Sequence, residues 1–228
     1  MCLEVSGAEV ARPYVERAHP EHPSLIDVAH VMDSAFGVTN IPNALWIDEE
    51  GVIVRPAEPA WSGAKVAMPA IKADDDEPDP RRRELGELVA SRIVIDRRRY
   101  APAVRDWAAN GPASPFVLTP DQVVARSQPR PAGVSAAAAH FELGQHLWLA
   151  GVRDAALAHF NEAHRLQPQN WTYKRQAYSL IGAETAEGPG ARFQQWPAPG
   201  HEAEWPFDSD YVEDLRVTGP GEYFPDSL

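Results

Sequence analysis

The stretch VTNIPNALWIDEEGVIVRP, Val38 to Pro56, decides how this chain is read. Ala44 to Ile47 and Val52 to Val54 are apolar runs of strand length. The four residues between them, Asp48, Glu49, Glu50 and Gly51, are turn material, and Gly51 can take the left-handed backbone that a hairpin turn demands. The pattern predicts an antiparallel hairpin. Pro42 stands just before its first strand and after a helix-like segment ending at Phe36 and Gly37, a placement that sets a tight bend. A cis Ile41–Pro42 bond would present the Ile41 backbone to an extended partner, whereas a trans proline would merely begin the strand. Ile41 and Pro42 are on these grounds the candidate substrate-binding residues.

Upstream, MCLEVS reads as a short strand closed by Gly7. Ala8 to Ala18 carries Val10, Tyr14 and Val15 at helical spacing, with Pro13 placing the first turn near Arg12. Leu25 and Ile26 suggest a brief extended piece. Val28 to Phe36 reads as a helix with Asp27 as its N-cap and Gly37 as its stop. This order gives an α/β arrangement over residues 1–60, too small to stand without a cover on its open face.

Downstream, the linker 61–83 is rich in Pro and Ala and ends in an acidic run meeting a basic one, the composition of a surface excursion. Residues 84–186 read as helical. Helices are expected over Glu84–Ile95 and Arg97–Ala109, and Thr119, Pro120 and Gln122 form a capping box with proline at the first helical position. Two further helices meet at Gly151 in a hairpin over 135–168, and a third begins at Trp171. Residues 187–228 hold Trp196, Trp205, Phe207, Tyr211, Tyr223 and Phe224 among prolines and glycines, which suggests a strap lying in surface grooves.

The net charge of −12 argues against a broad electropositive face, so neither nucleic acid nor an anionic membrane is expected as a partner. With no signal-like leader or long apolar run, the expected location is cytoplasmic. One cysteine, Cys2, excludes an internal disulfide and a CxxC couple, and reads as a small buried hydrophobe rather than a reactive thiol. His19, His22 and His30 match no zinc spacing, and His140, His146, His159 and His164 share no strict helical stripe. Asp74 to Glu77 reads as solvated linker rather than a cation site. No catalytic residue, metal or cofactor is assigned.

The segments CLEVSG, the helix through Tyr14, HPSLID, the helix ending AFGV, Pro42 in NIPNALWID and the hairpin around EEG together resemble the later part of a thioredoxin-like redoxin of the ResA-like kind. Within that family the resemblance points to a group whose active site is written WAxxUGC, with selenocysteine at U. It implies an incomplete thioredoxin-like fold in which the first core strand and the dithiol helix precede Met1, with Pro42 at the family's cis-proline position. Leu143, Gly144, Leu147, Ala156, Phe160, Ala163 and Pro168 are similar to a tetratricopeptide unit, a single one and too few for a peptide-binding superhelix.

Two functions follow as expectations. One is a thiol- or selenol-disulfide oxidoreductase or antioxidant peroxide-reducing lineage, inactive in this chain for want of CxxC or UxxC, with a thiol/disulfide protein or a second copy as partner. The alternative is a non-enzymatic interaction module with a degenerate thioredoxin-like layer and tetratricopeptide-like helices.

Overall fold

The computed structural model describes residues 2–4, 7–61, 79–94, 98–127, 131–185, 194–224 and 228; the acidic run 74–77 lies outside them. In chain order the elements are β1 (Cys2–Leu3), α1 (Ala8–Ala18), β2 (Ile26–Asp27), α2 (Val31–Phe36), β3 (Asn43–Ile47), β4 (Ile53–Pro59), α3 (Pro80–Arg92), α4 (Tyr100–Asn110), α5 (Pro120–Arg126), α6 (Ala132–Leu149), α7 (Arg153–Leu166), α8 (Trp171–Thr185) and α9 (Tyr211–Val217). They form two compact units, each made of two separated segments. The first takes Met1–Thr39 and Arg130–Asp208, the second Asn40–Pro129 and Ser209–Leu228.

In the first unit α6 and α7 form the helical hairpin that its apolar spacing predicts. Gly144 makes it close: a Cβ there would come within 2.7 Å of the Phe160 ring and 3.3 Å of the Ala156 carbonyl. Phe141 stacks on Tyr173 of α8 with centroids 4.2 Å apart and meets Phe160 at 5.6 Å, so three helices share one aromatic core. The α8 N-terminus is tied down by Thr39, whose carbonyl accepts from the N–H groups of Trp171 at 2.7 Å and Thr172 at 3.2 Å. Gly182 lets the strap approach, since a Cβ there would overlap the Gln194 carbonyl. Trp205 and Phe207 of the strap then pack on Tyr178.

In the second unit the hairpin is present and longer than expected. Gly51 takes φ +80°, and the Asp48 side chain accepts from the N–H groups of Glu50 and Val52 at 3.1 and 2.8 Å. Strand β4 runs on through Pro56 to Pro59 because it is an edge strand, where proline's missing N–H leaves no ladder partner unpaired. One face of the hairpin packs on α4: Trp46 donates through Nε1 to the Tyr100 hydroxyl at 2.6 Å and stacks on Trp107 at 4.8 Å. Thr119 and Gln122 complete the capping box of α5. The tail is more ordered than a strap, with α9 capped by Asp210. Arg81 of α3 pairs with Asp210, and Arg216 of α9 with Glu84. Burial pushes the Asp210 carboxyl above the ordinary range, outweighing the lowering by the Glu213 N–H and Arg81.

Mixed α/β content with a mostly helical remainder is what the structure shows. The thioredoxin-like, ResA-like assignment does not hold. The described residues are mostly helical, and among them the strands form two two-stranded sheets: β1 pairs with β2 in parallel over two residues each, and β3 pairs with β4 antiparallel. A thioredoxin-like layer requires such strands in one sheet. With Cys2 as the single cysteine, the chain gives no basis for a selenocysteine or CxxC site.

Helix starts also move. α3 begins at Pro80 because Asp79 caps it, accepting from the Arg81 N–H at 2.9 Å, and α4 begins at Tyr100. α1 runs from Ala8 through Pro13.

Candidate functional site

Ile41 and Pro42 are both exposed, and the bond between them is cis. The Ile41 N–H is already engaged, donating to the Asn40 side chain at 2.9 Å, while Asn40 Nδ2 donates to the Tyr223 carbonyl at 2.8 Å. The Pro42 carbonyl accepts from Ala60 at 3.3 Å. The bend is thus held by side-chain and main-chain bonds from both segments of the second unit. The neighbouring strand β3 has β4 on one side and no second strand on the other among the described residues.

In the same unit Arg55 and Glu58 form a buried pair. Arg55 donates to Glu58 through Nε and, at 3.3 Å, through Nη2; its Nη1 donates to the Phe116 carbonyl at 2.7 Å. The guanidinium also lies 5.6 Å from the Trp46 ring centroid. Burial pushes the nearby Tyr100 hydroxyl up to about 12, against the smaller lowering from its bond to Trp46. Each guanidinium nitrogen has an acceptor, which is the signature of a structural pair.

The first unit holds a different arrangement at α2. His30, at φ 55° and ψ 31°, sits in the left-handed region and turns its ring inward, where Nδ1 is 2.7 Å from Asp33 Oδ2. Both side chains are 1% exposed. The imidazole packs edge-on against Phe141 and Tyr173, with centroids 5.1 and 6.4 Å away. Its Nε2 is buried without a hydrogen-bond partner. A carboxylate orienting an imidazole is half of a general-base device, but the other half is a nucleophile or a proton donor at Nε2, and none is bonded there. This pair anchors α2.

Turning His30 and Asp33 inward turns the apolar side of α2 outward. Val31 is 57% and Met32 42% exposed, Ala35 shares their side of the helix, and Leu25 and Val28 just upstream are 65% and 46% exposed. α2 begins at Val31 rather than Val28 and its N-cap position is His30, not Asp27; Asp27 still fixes this orientation from further upstream, accepting from the N–H groups of Val31 at 3.0 Å and Met32 at 2.7 Å. Sequence reasoning missed this face. The spacing of Val31, Met32 and Ala35 was visible, but a short apolar stripe is ordinarily the buried one.

The remaining candidates stay dispersed. Cys2 is exposed rather than buried, and its N–H donates to the Leu25 carbonyl at 2.8 Å. His19 ends α1 in the left-handed conformation and His22 is exposed; neither is brought to His30 by any bond the structure shows. His140 and His159 do meet, as Nδ1 to Nδ1 at 2.8 Å, while His164 lies against Tyr178 and Phe207. Among the described residues no group of three or more His, Cys, Asp or Glu is placed to hold a metal ion, and no helix is long and apolar enough to cross a membrane.

No protein-family model, curated protein or solved structure matches this chain. The site must therefore be read from its own geometry. A lone thiol cannot close the internal disulfide of a two-thiol cycle, so the oxidoreductase reading and its thiol/disulfide partner fall with the fold assignment.

Proposed function

We propose that this chain is a non-enzymatic protein-interaction module. The observation that carries this reading is the inverted α2: His30 and Asp33 are buried and paired, and Val31 and Met32, with Leu25 and Val28, are exposed. Exposing contiguous apolar side chains on a helix whose polar groups are locked inside is unfavourable in an isolated chain and is the arrangement of a contact surface. The α6–α7 hairpin, similar in its residues to one tetratricopeptide unit, gives α2 a rigid backing through the contact of Phe141 with His30. Exposed Ile41 and Pro42 are proposed as a second contact position, suited to an extended segment.

The test is site-specific photocrosslinking in the cells that make the protein, with the crosslinker at Val31 and, as an exposed control, at Val124 of α5. The expected result is a discrete protein adduct from position 31 alone. It should disappear on Met32→Glu while the melting temperature is unchanged. Equal adducts from both positions, or an adduct indifferent to Met32→Glu, would overturn the assignment.

A further inference from the structure

Leu228 is held in the second unit by side chains and not by a helix or a strand. Its N–H donates to Glu58 Oε2 at 3.2 Å, and its carbonyl accepts from Arg99 Nη2. Its half-buried side chain packs against the cluster of Trp46, Tyr100 and Ala103. We propose that Glu58, Arg99 and the Trp46–Tyr100 face form a binding site for a leucine-bearing peptide segment, and that Leu228 is its resident occupant. The site lies wholly in the second unit, so it stands or falls separately from the α2 surface.

The backbone of Leu228 shows how firmly the residue is received. At φ 69° it is in the left-handed region, where an L side chain crowds its own backbone, and a residue stays there only when its surroundings fix it. Within helices and sheets, backbone groups are satisfied by other backbone groups. A peptide-binding site instead offers an acceptor and a donor of its own and takes the side chain on an apolar surface. Leu228 is treated in the second way on all three counts.

The acceptor is set in advance. Arg55 grips Glu58 through Nε and Nη2, its Nη1 is fixed on the Phe116 carbonyl, and its guanidinium lies 5.6 Å from the Trp46 ring centroid. Glu58 Oε2 therefore meets an incoming N–H with little side-chain freedom left to lose. Trp46 is fixed in turn by its bond to the Tyr100 hydroxyl and its stack on Trp107. Arg99, immediately before α4, is exposed and supplies the donor. The buried Arg55–Glu58 pair thus has a use beyond filling the core, since it presents one carboxylate oxygen to the segment. Because Leu228 is tethered to the unit it occupies, a free segment competes with a high local concentration and enters when Leu228 leaves.

The test uses the full chain with Leu228→Pro, which removes the N–H and cannot adopt φ 69°. The probe is acetyl-Pro-Asp-Ser-Leu-amide, the sequence of residues 225–228, and the readout is the Trp46 indole N–H signal in NMR, assigned with Trp46→Phe. The expected result is a saturable shift of that signal back toward its position in the unmodified chain. The affinity should be at least about tenfold weaker in the unmodified chain, in Leu228→Pro carrying Arg99→Ala, and for the probe with Asp in place of Leu. No saturable shift in Leu228→Pro, or equal affinity in any of these three controls, overturns the site. Should Leu228→Pro fail to fold, Leu228→Asp takes its place under the same criteria.

Discussion

Each unit buries an acid–base pair three residues apart in sequence, and the two pairs are finished differently. In the second unit Arg55 gives each guanidinium nitrogen an acceptor, from Glu58 or from the Phe116 carbonyl. In the first, His30 is satisfied on Nδ1 by Asp33 and left without a partner on Nε2. A completed pair locks a core. An incomplete one does less for stability, and what it achieves is orientation, since it turns α2 so that its apolar side faces out. A buried polar pair therefore serves packing in one unit and presentation of a surface in the other.

The sharpest way to break the comparison is to remove the nitrogen donor from each pair. Arg55→Met leaves the largely buried Glu58 carboxylate with its main partner gone, and is expected to cost about 3–5 kcal/mol in urea unfolding. His30→Asn, which tolerates the left-handed backbone at φ 55°, isolates the loss of the Asp33 contact and is expected to cost only about 1–3 kcal/mol. His30→Ala should cost more than His30→Asn, because it adds backbone strain to the same loss. Equal costs for Arg55→Met and His30→Asn would erase the distinction between the two pairs.

A second contrast is internal to α6. Gly144→Ala places a Cβ 2.7 Å from the Phe160 ring and is expected to destabilise by about 1–3 kcal/mol. Gly133→Ala meets only the Leu166 carbonyl at 3.9 Å and should stabilise by up to about 1 kcal/mol through helix propensity. Thermal melts of the two variants should move in opposite directions.

Tyr100 sharpens the account of the second unit at high pH. Burial raises its hydroxyl to about 12, from the ordinary 10.0. The folded state thus holds a proton that the unfolded state has begun to lose. This contribution is whole below pH 10 and is lost as pH rises through 12, and absorbance at 295 nm should show one tyrosine ionising late. Arg216 and Glu84 give the smallest effect. The Glu84 carboxyl is held below its ordinary range by the Arg216 bond, so this contribution is present above the ordinary range and fades as pH falls through the lowered value. At a partly exposed site it should be worth at most about 1 kcal/mol, as Arg216→Ala would show.

Local chemistry was legible in the sequence where a few adjacent residues settle it. The Asp48–Gly51 turn and the Thr119–Gln122 capping box each close within five residues and stand as expected. Signals of the same range were overlooked where composition masked them: Asp79–Pro80 opens α3 from inside a charged run, and Asp210 opens α9 from inside an aromatic tail. What no local reading supplies is which strand pairs with which. The pairing of β1 with β2 rests on two residues each, so the strand order that suggested a thioredoxin-like layer carried no information about the sheets formed. The His30–Asp33 pair was hidden for a similar reason. Its spacing is ordinary, and only the left-handed turn at His30 sends both side chains to the same interior.

The interleaved composition of the two units bears on how the chain emerges from the ribosome. Residues 1–39 belong with 130–208, and 40–129 are completed by 209–228. At roughly 5–20 residues per second, synthesis of the stretch between residues 39 and 130 leaves the first segment without its partner for roughly 5–20 s. Throughout that interval Val28, Val31 and Met32, exposed even in the finished molecule, are accompanied by neighbours still awaiting cover. This apolar segment emerges before any part of the α6–α7 hairpin exists, and translation speed across 40–129 sets how long it waits for cover.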